Sequence, residues 1–423
     1  MLFLLIFILI FEFYLLNRVL KYFLLSPVYI YIIFSVLCIV LSIWYFYFFE
    51  NKFSLFDLDI VSSKKFFDII KLYIIALISF ILGTIVYYDQ SIKKTKKLFN
   101  NSYTDKLFFN YTISKKITYL AIIIFIIIFS LFLIVYGKGI FIRNEYIPDR
   151  SKALTTVIKI LSFIETLILG FIYKKDKIIS ISFFLFFMLI SLGTGSRTVF
   201  LFFILYTFLI FISNGNTFIN KIRFSLHVLF SLFLLTFVMQ LRGLPEHGVI
   251  PYLGSIFSLS KDFYRSFFFN IYYSFIYGVF VTIKTVAKAN LDWGIIFINI
   301  NPMPGVVAGW YNYANDMRIN YYAPYSLHGR VFRTGTVFTI LYFFLIGLIF
   351  SFFEKKIRNL LNNSKRIYAF ILTIILILHI IYAFEYNMRS AIRYLYYAFF
   401  IIFMEYIYKQ IIKNLPKINE KKN

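Results

Sequence analysis

The chain has 423 residues, a formal net charge of +25 and a mean hydropathy of +0.80, with 61% hydrophobic and only 15% charged residues. Soluble domains carry about 25% charged residues, so the composition excludes a soluble globular protein and points to an integral membrane protein. The apolar runs are continuous rather than alternating, which excludes a transmembrane β-barrel, and a single cysteine, Cys38, excludes internal disulfides and a cysteine metal site.

Eleven stretches have the length and composition of membrane helices: 1–17, 27–49, 66–88, 117–136, 153–173, 178–194, 197–213, 222–241, 335–353, 367–385 and 391–408. Each is close to the roughly 20 residues a crossing helix needs, and helix is required because unpaired backbone groups cannot face lipid. The expected fold class is therefore an all-α integral membrane protein with about eleven transmembrane helices. Residues 1–408 form the polytopic domain, with one long extracytoplasmic loop near 242–333, and 409–423 form a cytoplasmic tail. The apolar start lacks a basic region and a small-residue cleavage site, and is read as a retained span.

Loop charge orients the chain. Alternate connections, beginning at Arg18 and Lys21 and ending in the tail from Lys409, hold 24 lysines and arginines; the opposite short connections hold 10. Basic loops stay in the cytoplasm, so the N-terminus is expected outside and the C-terminus inside. Much of the +25 charge is then a topology signal. Nucleic acid is not an expected partner, because no basic run sits in a soluble domain. The uncharged run from Phe267 to Ile283 threatens this orientation if it crosses. It is read as a non-spanning helix on the membrane face, with a re-entrant pairing against 293–308 as the alternative.

Several constellations have chemical potential. Gly193-Thr194-Gly195-Ser196-Arg197 joins the sixth and seventh spans. Its glycines suit a tight reversal, Ser196 suits a helix cap, and free N–H groups beside Arg197 suit an anion; a plain interhelical turn uses the same residues. Arg242 stands where a span leaves the membrane, followed by Glu246 and His247, either of which has base chemistry. Arg318, His328, Arg330 and Arg333 crowd the approach to the ninth span among tyrosines. Arginine suits bidentate phosphate contacts, and tyrosine suits a sugar face or an interfacial belt. Asp57 and Asp59 are close enough to hold a divalent cation, although a polar loop is the plainer reading. Glu12, Lys159, Glu165 and His379 are ionisable residues within spans. No nucleotide-binding, zinc or nucleophile-elbow motif is present in the sequence.

With these features in place, the layout resembles the bacterial O-antigen and capsule repeat-unit polymerases (Wzy-type), within the wider O-antigen polymerase and ligase group. The Gly-Ser-Arg turn at 195–197 and the late outer loop carry the resemblance, and Arg318 and Gly329 are separated by ten residues as in the R-x10-G pattern of some members. After Arg242, glycines at 243, 248 and 254 do not repeat that spacing. The resemblance implies polymerisation of undecaprenyl-diphosphate-linked glycan repeat units at the outer face of the inner membrane, without metal or other cofactor. In that role Arg242, Arg318, His247, Glu246 and His328 are the expected catalytic residues. Arg197, Ser196, Arg330 and Arg333 would bind the diphosphates. A chain-length regulator and membrane lipid are the other implied partners. Three alternatives stand beside it: an O-antigen ligase using His328 or His247, a metal-dependent glycosyltransferase using Asp57 and Asp59, and a lipid-linked glycan flippase or transporter.

Overall fold

A computed structural model describes residues 2–20, 25–49, 58, 60–92, 115–145, 152–196, 198–215, 217–241, 244–255, 263–320, 323–363 and 365–414. In chain order its helices are α1 (Leu2–Val19), α2 (Pro27–Phe48), α3 (Ser63–Ile92), α4 (Lys115–Tyr136), α5 (Lys152–Ile172), α6 (Lys177–Gly193), α7 (Thr198–Asn214), α8 (Phe218–Leu241), α9 (Val249–Gly254), α10 (Phe263–Ile271), α11 (Tyr277–Lys288), α12 (Trp293–Ile300), α13 (Trp310–Tyr313), α14 (Leu327–Arg333), α15 (Thr336–Asn362), α16 (Arg366–Glu385) and α17 (Met388–Asn414). The described residues form no strand, only two isolated β-bridges. The protein is an all-helical, multi-pass type of chain. Among the described residues, eight helices are long and apolar enough to cross a membrane: Pro27–Phe48, Ser63–Asp89, Lys115–Ile140, Ala153–Ile172, Phe218–Val238, Phe267–Lys288, Thr336–Asn362 and Met388–Ile407. Lys177–Gly193, Val199–Asn214 and Tyr368–Phe384 are shorter apolar helices.

The stretch 242–333 differs from a simple long loop. It contains helices α9 to α14, and its run Phe267–Lys288 has the length and hydropathy of a crossing helix rather than of a short surface element. A π-helical turn at Tyr272–Ile276 interrupts that run. The chain divides into two compact units within the same stretch: residues 1–103 with 272–423, and residues 104–271.

In the first unit the central event is the crossing of α3 and α15. A methyl group on Gly83 would lie 2.2 Å from the carbonyl oxygen of Phe344, and one on Gly347 would lie 2.2 Å from that of Phe80. The two backbones touch at these reciprocal glycines, the small-residue packing that membrane helices use where lipid removes the hydrophobic drive. Aromatic rings close around the contact: Tyr31 of α2 stacks on Phe80 at 4.1 Å, and Phe350 meets Phe80 edge-on at 5.5 Å. At one end of α15, buried Glu354 accepts from Ser26 Oγ (2.6 Å), from the Val28 N–H (3.3 Å) and from Arg358 Nε (2.9 Å). Its carboxylate thus meets the unsatisfied N–H groups at the start of α2, where negative charge is favoured.

The second unit packs α4 to α8 with α9 and α10. Ile128, Phe132, Leu169, Phe187 and Phe202 belong to its buried core. Phe184 stacks on Tyr206 at 3.7 Å, and the Tyr206 hydroxyl reaches Ser180 Oγ at 2.8 Å. Ser180 Oγ also lies 2.7 Å from the Leu169 carbonyl oxygen, to which it donates.

Replacing Gly83 or Gly347 by leucine forces the α3 and α15 backbones apart, and overpacking of this kind costs about 1–3 kcal/mol or more. Melting of the detergent-solubilised chain is expected to drop by several degrees for either variant. Gly254→Ala, where an added methyl meets nothing within 4 Å, leaves it unchanged. Equal melting of all three variants contradicts the close crossing.

Candidate functional site

The most developed polar site lies in the second unit, at the end where α4, α6 and α8 finish and α5 and α7 begin. Three connections knit together there. Arg143 and His247 form an antiparallel bridge, with N–H to carbonyl distances of 2.7 Å in both directions, and Ile250 N–H donates to Phe141 O at 3.2 Å. Gly248 has φ +125°, and a methyl group there would lie 2.4 Å from Phe141 O. Gly193 is equally confined, with a methyl position 2.5 Å from Val249 Cγ2. Glycine is therefore required at 248 both by backbone angle and by space.

The Arg143 side chain fastens the same junction. Its Nη1 donates to the carbonyls of Gly139 (2.9 Å) and Gly193 (2.8 Å), its Nε donates to Glu145 O (3.0 Å), and its guanidinium lies over the Tyr136 ring at 6.0 Å. His247 is buried, with Nδ1 2.9 Å from the Tyr252 hydroxyl. Burial, and then the nearby Arg143 charge, pull its imidazole below the ordinary histidine range.

Tyr136 is also a wall of a cavity of about 70 Å³. The remaining lining includes Lys159, Thr155, Ser162, Ser191, Thr194 and Ser196. Thr155, Lys159, Ser162 and Thr166 recur at spacings of four, three and four, so they share one face of α5. Ser191 is buried, and its Oγ meets no partner among the described residues. Three residues beyond Ser162, Glu165 is fully buried, and neither carboxylate oxygen finds a partner among the described residues. The Gly-Ser turn supplies the cavity mouth. Gly195 has φ +66°. The Gly195 N–H donates to Leu192 O at 2.8 Å, and Thr194 Oγ1 accepts from the Ser196 N–H at 3.3 Å. One ammonium and several hydroxyls around a small space suit a compact anion such as a phosphoryl group, with Thr194 Oγ1 itself donating to Ser191 O at 2.7 Å.

The first unit uses its polar residues differently. Arg330 and Arg333 of α14 donate to the carbonyls that end α11: Arg330 Nη1 to Asn290 O at 3.2 Å and Arg333 Nε to Ala289 O at 3.1 Å. Arg330 also lies over Tyr325 at 4.7 Å. Arg389 Nη1 and Nη2 reach the carbonyls of Ile298 and Met303, and Tyr396 reaches that of Ile300, so α12 is finished in the same way. His328 is 1% exposed, with Nδ1 2.9 Å from Ala383 O and rings of Phe384, Tyr73 and Phe343 around it at 4.3, 4.9 and 5.2 Å. Burial pushes its pKa from 6.5 to about 3. Ser326, Thr282 and Tyr73 form a hydroxyl chain beside it, with Thr282 Oγ1 2.8 Å from Ser326 Oγ and 2.9 Å from the Tyr73 hydroxyl. Gly329 fits this packing because a methyl there would lie 2.4 Å from Thr285 Cβ.

The predicted site residues therefore separate. Ser196 lines the cavity, His247 is buried beside it in sequence with exposed Glu246, and Arg318 is exposed on its own segment. His328, Arg330 and Arg333 serve helix ends and packing. Arg197, Arg242, Asp57 and Asp59 lie outside the described residues. Arg143 and Tyr252 had no motif to mark them; the closest signal is the Gly137 and Gly139 pair shortly before Arg143. Lys159 was visible as a charge within a span, but its neighbours across α6 were not.

No family model, curated protein or solved structure matches the chain.

The burial of His328 has a pH consequence. Its folded pKa is lower than its unfolded value, so its contribution to stability is complete above pH 6.5 and is lost as pH falls from 6.5 toward about 3. His328→Phe is expected to flatten the acid side of the melting-temperature profile between pH 6.5 and 4. An acid slope identical to that of the parent chain contradicts this placement.

Proposed function

We propose that the chain polymerises undecaprenyl-diphosphate-linked oligosaccharide repeat units into surface polysaccharide at the outer face of the bacterial inner membrane. The observation that carries this reading is the Lys159 cavity at the Gly-Ser turn, a phosphoryl-sized space lined by an ammonium and hydroxyls at the membrane-proximal end of an apolar bundle. In this reading the loop end of the second unit faces outward, and an N-terminus outside with the C-terminal tail inside requires that Phe267–Lys288 lie against the membrane face without crossing it. Lys159, Ser191 and Ser196 hold one phosphate of a lipid diphosphate. Arg197 and Arg242, adjoining the two connections in sequence, supply further positive charge. The resemblance to the Wzy-type polymerases implies a role for Arg318 as well.

The reaction is a substitution at an anomeric carbon. The acceptor hydroxyl of one lipid-linked unit attacks the sugar carbon of the growing chain. A new C–O bond forms as the bond to the diphosphate breaks, and the electron pair leaves on undecaprenyl diphosphate. The hydroxyl proton passes to Glu246 or His247, and cationic donors stabilise charge on the departing phosphate. The diphosphate is already a leaving group, so the reaction as written calls for no nucleotide and no metal. His328 is withdrawn from the set of bases, because a buried ring on Ala383 O within an aromatic box has no route to an acceptor sugar. The ligase alternative then rests on His247.

Deletion of the gene followed by gel profiling of the surface glycan tests the proposal. Loss of the ladder with single repeat units still attached is the expected result. Polymer that persists on its lipid carrier indicates a ligase, and an unchanged profile contradicts both.

A further inference from the structure

A second cavity in the 104–271 unit lies at the opposite end of the same helices. It is a groove of about 390 Å³ between α6, α7 and α8. Its walls include Phe184, Phe203, Ile210, Phe211, Phe224 and Phe230. Asn214, Asn220, Arg223 and His227 gather at one pole. The groove opens sideways, since Leu185 and Phe230 on its rim are 57% and 51% exposed. These helices are a candidate span, Phe218–Val238, and two shorter apolar helices, so the opening faces the bilayer core.

The polar pole is basic. Asn220 is already committed, its Nδ2 donating to Phe211 O and Gly215 O at 2.9 and 2.7 Å. His227 Nδ1 lies 2.6 Å from Arg223 O. Arg223 forms no ion pair among the described residues, and Asp176, in the α5–α6 turn, accepts from Thr118 Oγ1 at 3.0 Å. Lys177 lies over Tyr173, another groove residue, at 5.9 Å. Arg223 stands five residues into α8, and Phe230 is seven residues further on, which is roughly 10 Å along a helix at 1.5 Å per residue. One end of the groove is thus at headgroup depth with a positive charge, and the other runs into hydrocarbon between aromatic rings.

We infer that this groove binds one anionic phospholipid, its phosphate on Arg223 and one acyl chain between the phenylalanines of α6, α7 and α8. A neutral or zwitterionic lipid fills the same walls but gains less from the pole, because a basic cluster at the membrane surface favours anionic headgroups by about 1 kcal/mol per cation. The inference is independent of the polymerisation reading: the groove lies at the end away from the Lys159 cavity, and its test reads lipid retention rather than polymer.

The full-length chain, purified in detergent, is mixed with dioleoyl phosphatidylglycerol or dioleoyl phosphatidylcholine and examined by native mass spectrometry. One phosphatidylglycerol adduct is expected to survive activation energies that strip phosphatidylcholine. Arg223→Gln should reduce its retention at least fivefold, to the phosphatidylcholine level. Arg223→Lys should keep most of it, and Leu185→Trp, which crowds the groove mouth, should lower retention of both lipids. Lys138→Gln, at the other end of the unit, serves as the surface-charge control and should change nothing. Equal retention of the two lipids, or retention indifferent to Arg223→Gln and Leu185→Trp, overturns the inference. So does preferential retention of farnesyl phosphate over phosphatidylglycerol, which would make the groove a prenyl-phosphate site.

Discussion

Wherever a helix ends inside or beside a membrane, its last carbonyls need hydrogen-bond donors that bulk water does not supply. This chain meets that need repeatedly with long cationic or amide side chains. Arg330 and Arg333 finish α11, Arg389 finishes α12, Arg143 holds the Gly139 and Gly193 carbonyls, and Asn220 holds those of Phe211 and Gly215. Even a histidine serves it: His328 faces Ala383 O in the last turn of α16. Arginine suits the task because its donors lie in a fixed fork and its charge persists on burial. Without these contacts the non-helical junctions of a chain this apolar would leave carbonyls unpaired.

That constraint explains which roles the sequence leaves undecided. The apolar runs marked the helices well, because hydrophobic length and backbone pairing are local properties. The turn at Gly195 was also legible, since a left-handed glycine between two apolar runs has few other uses. Arginines before the ninth span were not legible in the same way. A guanidinium reads identically in sequence whether it meets a phosphate or a backbone carbonyl, and only the position of α11 beside α14 decides between them. Phe267–Lys288 is ambiguous for a related reason: its polar and aromatic mixture resembles a surface element, while the π-helical turn at Tyr272–Ile276 carries the helix onward to a length sufficient for a crossing.

Lys159 shows the converse. A lone lysine in a span invites the reading of a snorkelling side chain. Its meaning changes because Thr155 and Ser162 lie on its own face of α5, while Ser191, Thr194 and Ser196 close the cavity from α6 and the turn after it. Those contacts join residues some thirty positions apart, beyond the range of any periodicity. The same bundle end carries the Arg143–His247 bridge, whose backbone hydrogen bonds tie the two connections together. Connections tied together around a small polar cavity are what a site needs if it is to recognise a charged group without reorganising for it.

The polymerisation reading places a phosphoryl group on Lys159, so the most direct measurement is the glycan ladder of a deletion strain carrying Lys159→Gln, with membrane levels of the chain matched by immunoblot. Loss of the long ladder with single repeat units retained, and recovery in Lys159→Arg, is the predicted result. A full-length ladder from Lys159→Gln would contradict it and leave the cavity as a packing feature of α5.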